Sequence, residues 1–143
     1  MTSRREFLKT GLAASALLPA AARADFAVAD ELGQGAALYK VLYDTRFAAS
    51  VSFARRAAAR GLAVHAMAGD MTRFWYDDLY HRWRQGPAAI AGLTGHGPLF
   101  CLERLGWEQR LRVEMLREYA PPPGVAPPSE PLFSWIIAPV PRA

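Results

Sequence analysis

A chain of 143 residues has room for one modest hydrophobic core and no second domain. Its formal net charge of +4 is concentrated near the start, where Arg4, Arg5, Lys9 and Arg23 face the single acid Glu6. The rest is nearly neutral, which argues against nucleic acid or an anionic membrane as a partner, and the lone cysteine, Cys101, leaves stability to packing rather than to an internal disulfide.

The chain opens with Ser3-Arg4-Arg5-Glu6-Phe7-Leu8-Lys9, followed by a weakly apolar stretch from Gly11 to Ala22 and by Ala22-Arg23-Ala24. Ser15 and Pro19 interrupt the apolar stretch, which is too short for the ~20 residues of a membrane span. At every position of its consensus the segment resembles a twin-arginine export signal, with Arg4 and Arg5 as the recognised pair. The resemblance implies the twin-arginine translocation machinery as a partner, cleavage after Ala24, and a periplasmic protein exported in folded form. Folded export suits a chain that carries a cofactor, travels with a partner, or folds too fast to be threaded.

Residues 25–36 read as a lead-in arm, and a single α/β domain is expected over residues 37–143. The apolar run Leu38 to Tyr43, ending at Asp44, reads as a buried strand. Phe47 to Arg60 reads as a helix with Phe47, Val51, Ala54 and Ala58 on one side and Gly61 as its stop. The unit repeats as a strand over Leu62 to Ala68, a turn at Gly69-Asp70, and a helix from Met71 to Arg84 closed by Gly86-Pro87. A third strand, Ala88 to Thr94, leads through Gly95-His96-Gly97 into a helix with Pro98 at its first position, ending at Leu105.

Three such βα units call for parallel pairing with helices over the sheet. After Gly106, Leu111, Val113 and Met115 alternate with Arg110, Arg112 and Glu114, as in a strand with one wet face; a helix over Trp107 to Tyr119 is the competing reading. Residues 120–131 hold six prolines and form a connection that cannot pair in a sheet, and Leu132 to Ala138 is the last strand. The fold class is therefore α/β: a small three-layer fold with a mixed sheet of about five strands.

Parallel strands bring the residues that follow them to one carboxyl edge, where open α/β sheets bind ligands. Asp44, Arg46, Asp70 and His96 would share that crevice, and Asp44, Asp70 and His96 could act as acid and base or as metal ligands, although Asp44 and Asp70 also stand where helix N-caps are needed. The turn Thr94-Gly95-His96-Gly97 offers backbone amides to an anion but lacks the lysine of a phosphate loop. Cys101, one turn into the third helix, would need His96 beside it to act as a nucleophile; inert packing is the preferred reading. His65 reads as a satisfied core histidine.

The segment Phe74 to Trp83 is unusually aromatic. Met71, Trp75, Leu79 and Trp83 make the stripe expected to face the sheet, Phe74, Tyr76 and Tyr80 widen the apolar arc outward, and Tyr76 and Tyr80, at its edge and rimmed by Arg73 and Arg84, should remain partly exposed as a docking patch. These features point to a noncatalytic accessory or small subunit of a larger exported redox enzyme, with no metal and no cofactor specified by the sequence. The alternative is a small enzyme or a ligand- or metal-binding protein using the carboxyl-edge crevice.

Overall fold

A computed structural model describes residues 37–121, 123–124 and 129–141; the leader, the lead-in arm and part of the proline-rich connection lie outside the described residues. The elements run β1 (Leu38–Asp44), α1 (Ala48–Ala59), β2 (Val64–Met67), a helical segment, β3 (Ala89–Thr94), α4 (His96–Glu108), β4 (Leu111–Tyr119) and β5 (Leu132–Pro139). The helical segment joins α2 (Thr72–Phe74), a π-turn (Trp75–Leu79) and α3 (Tyr80–Arg84). None of the described helices is long and apolar enough to cross a membrane.

The five strands form one mixed sheet in the order β2-β1-β3-β5-β4. β1 pairs parallel with β2 and β3, as the repeated strand-helix units require, whereas β5 runs antiparallel between β3 and β4. The chain thus leaves β3, crosses through α4 to the far edge as β4, and returns to fill the gap.

Alternation along the strands builds a core on each face. Val41, Ala91, Leu93 and Ile136 face α1, where Phe53 and Ala57 cover them. Leu42, Ile90, Trp135 and Ile137 face the opposite layer, where Phe74, Leu79, Trp83, Leu99 and Leu102 pack. The expected three-layer α/β arrangement is what the chain adopts.

Several local expectations are corrected. α1 buries Ser50, Phe53, Ala54 and Ala57, so its stripe is rotated from the expected Val51 and Ala58. The cause is Ser50: its hydroxyl accepts from the Asp44 N–H at 2.7 Å and donates to the Leu93 carbonyl at 2.5 Å, holding that side of the helix on the sheet. β2 is shorter than Leu62 to Ala68 because it is an edge strand with one neighbour.

α4 starts at His96, placing Pro98 third, and runs through Gly106 to Glu108. Gly106 does not break it, because the missing side chain lets the helix approach Leu111, whose Cβ would lie 3.3 Å from an added one. In β4 a bulge between Val113 and Met115 interrupts the expected alternation, and beyond it Leu116 takes the face carrying Leu111 and Val113.

Candidate functional site

The parallel strands do bring Asp44, the Gly69-Asp70 turn and Thr94 to Gly97 to one edge of the sheet. Their side chains are nevertheless engaged separately. Asp44 is fully buried, and its carboxylate accepts Arg46 Nε at 3.0 Å, Arg46 Nη2 at 2.8 Å and the Arg46 backbone N–H at 3.0 Å. Hydrogen bonding to Asp44 raises the Arg46 pKa further above its ordinary value. The Arg46 guanidinium lies where a side chain at Gly69 would be, 2.6 Å from an added Cβ, and reaches Glu130 at 3.2 Å. The Glu130 carboxyl in turn lies over Gly95, 2.9 Å from an added Cβ.

Asp44, Arg46 and Glu130 therefore fill the crevice, and the two glycines are small to admit them. Asp70 is exposed and accepts the Thr72 hydroxyl at 2.5 Å and the Thr72 N–H at 2.8 Å, bonds that lower its pKa. It serves the start of its own helix, much as a cap does, while Asp44 is tied to arginine rather than to a helix end. His96 is exposed and packs on Phe100 and Phe133, with ring centroids 5.9 and 5.8 Å apart. Thr94 Oγ1 donates to the Gly95 carbonyl and accepts the Trp135 indole N–H, so it supports the core, and Gly97 faces open space.

Cys101 is exposed, not packed away. It lies five residues after His96, roughly 140° around the helix at 3.6 residues per turn, so the two side chains leave on different faces. Among the described residues, no group of three or more His, Cys, Asp or Glu side chains is placed to hold a metal ion.

The aromatic segment departs most from its sequence reading. Leu79 and Trp83 are buried as expected, but Trp75 is only half-buried, and Phe74, expected in the outer arc, is enclosed and packs on His65 at 4.5 Å. The π-turn is the reason: its wider winding shifts the phase of the stripe between its two ends. Within that turn Asp78 accepts hydrogen bonds from both Tyr39 Oη and Lys40 Nζ. Consecutive strand residues ordinarily point to opposite faces, but a bulge between Leu38 and Lys40 lets Tyr39 and Lys40 reach the same carboxylate.

This clasp was not visible in the sequence, where the only hint was Lys40, the single lysine after the leader. Burial pushes the Asp78 pKa up, but the bonds from Lys40 and Tyr39 together with the Lys40 charge outweigh it, so the carboxyl sits below its ordinary range. Hydrogen bonding to Asp78 raises the pKa of both Lys40 and Tyr39. His65, half-buried on the edge strand rather than in the core, has its pKa lowered by burial and by the Lys40 charge.

On the outer side of this layer the aromatics are open. Tyr76 is 65% exposed, Tyr80 38%, Phe100 47% and Trp107 43%. Arg84 lies 5.4 Å from the Tyr80 ring and donates to its hydroxyl at 2.9 Å, while the Arg104 guanidinium is 5.3 Å from Phe100 and 4.5 Å from Trp107. Between the π-turn and α4 runs a groove of about 390 Å³, lined by Met71, Thr72, Trp75, Tyr76, Phe100, Cys101, Arg104 and Leu105. Trp75 also meets Tyr80 edge-on, at 5.6 Å, so a band of aromatics runs from Tyr80 through Trp75 and across the groove to Phe100, Arg104 and Trp107.

No protein family, curated protein or solved structure matches the chain. The site is read from its own geometry. Exposed Tyr, Trp and Phe with arginine laid across them give large apolar contact area at little entropic cost, the composition of an interface centre. Tyr76 and Tyr80 were legible from the sequence as exposed positions. Phe100, Arg104 and Trp107 were not, since they fall on a separate helix and join the band only in three dimensions.

Proposed function

We propose that this protein is an exported accessory or small subunit of a larger periplasmic redox enzyme, and that it docks its partner through the aromatic band without performing chemistry itself. The observation that supports the docking role is a set of exposed aromatics at one groove: Tyr76 and Phe100 line it, Tyr80 packs on its wall residue Trp75, and Trp107 packs on its wall residue Arg104. The noncatalytic reading draws on the fate of the acid and base candidates, since Asp44 is bound to Arg46 and Asp70 to Thr72. Location and the class of partner rest on the twin-arginine-like leader alone.

Two expected outcomes test this. Replacing Arg4 and Arg5 by lysine should leave the precursor in the cytoplasm by cell fractionation; normal periplasmic yield would end the export claim. Purification of the exported protein under mild conditions should recover a second chain at fixed stoichiometry. Tyr80→Ala or Trp107→Ala should weaken that complex by about 2 kcal/mol, roughly 30-fold in Kd, while barely moving the melting temperature. A complex indifferent to both substitutions would locate the interface elsewhere.

A further inference from the structure

We infer that the groove receives an apolar side chain of the partner protein together with a neighbouring carboxylate, and that the carboxylate is taken by Arg104; this rests on the docking reading for the occupant being a protein. The groove is open rather than enclosed, and at about 390 Å³ it lies near the small end of ligand pockets. A free small molecule would stay largely wet there. A side chain belonging to a larger interface would be covered by its own surroundings.

The charge pattern specifies the rest. Arg104 is the only charged residue among those that line the groove, and the walls are otherwise largely apolar, with Met71 and Leu105 among them. Its guanidinium lies close to the rings of Phe100 and Trp107, and among the described residues it has no ion pair. Glu108, four residues further along the same helix, is exposed and does not pair with it. Ring contact restrains the planar group and leaves N–H donors for a carboxylate, so ordering the arginine costs less when the partner arrives. A cationic group at the same place would be repelled.

Cys101 provides the probe, because its exposed thiol is on the groove wall. The chain beginning at Asp25 would be equilibrated, under a thiol buffer, with two matched disulfide reagents, each carrying a phenyl group and ending in either a carboxylate or the corresponding primary amide. Intact mass gives the fraction modified. The acid should be favoured about tenfold, and Arg104→Gln should bring the two reagents level.

Equal capture by the native protein, or a preference that survives Arg104→Gln, would overturn the assignment. If deleting residues 25–36 markedly increases capture of both reagents, the chain's own arm occupies the groove and a partner does not. In the purified complex Cys101 should be shielded; free modification with the complex intact would also overturn the proposal. Acid preference in a chain that forms no protein complex would instead sink the docking reading, so the two failures are distinguishable.

Discussion

Replacing Gly92 by alanine is expected to destabilise the domain by about 3 kcal/mol, at the upper end of ordinary overpacking costs. Gly92 lies in β3 at the centre of the sheet, directly opposite Trp135 of β5. A Cβ there would stand 2.5 Å from Trp135 Cζ2 and 2.9 Å from the Leu42 carbonyl oxygen. The backbone oxygen belongs to a neighbouring strand and cannot yield. The indole is also fixed, being fully buried with its N–H donated to Thr94 Oγ1 at 3.1 Å. Urea titration should show the midpoint falling with the slope little changed, because the same surface is exposed on unfolding. An unchanged midpoint would mean that Trp135 is not held as described.

Removing the Asp78 carboxylate is the second large effect. Asp78→Ala should cost about 2 kcal/mol, below the 3–5 kcal/mol of a fully buried pair because 20–24% of each charged side chain remains exposed. The loss leaves the Lys40 ammonium and the Tyr39 hydroxyl without their shared acceptor. The pH dependence gives the mechanism. Folding lowers the Asp78 pKa, so the clasp stabilises fully above the ordinary aspartate range, near pH 4, and is lost as pH falls through the folded value.

Folding raises the Lys40 pKa, so that contribution is present below the ordinary lysine value, about 10.4, and is lost as pH rises through the folded one. The stability gap between native protein and Asp78→Ala should thus be widest at neutral pH and shrink at both extremes. A gap that does not vary with pH would show that Asp78 acts through packing alone.

The same variant bears on the docking band. Asp78 lies inside the π-turn, between Trp75 and Tyr80, whose rings meet edge-on at 5.6 Å. The proposed docking surface and the polar contact on the inner side of the helix thus share one short segment.

Much of the fold is legible in the sequence. Apolar runs and glycine stops marked the three strand-helix units, whose short lengths required parallel pairing, and Leu132 to Ala138 was readable as a strand from its apolar run alone. The partial exposure of Tyr76 and Tyr80 follows from their position at the edge of the apolar arc. These features depend on local periodicity, and periodicity is written in neighbouring residues.

What the tertiary structure alone decided are single-residue events and long-range partnerships. The insertion of β5 between β3 and β4 is a long-range choice of neighbour, whereas the bulges near Tyr39 and Glu114 and the π-turn at Trp75–Leu79 each alter the phase of a pattern that the sequence carries through unbroken. Asp44 is held by Arg46, Arg46 also by Glu130, and Asp78 by Tyr39 and Lys40, so of the carboxylates the sequence offered for chemistry Asp44 is engaged in structure. The sequence determined which segments would be strands and helices because each must bury one face; which polar groups remained free depended on partners up to 84 positions away, and only the packed chain brings those together.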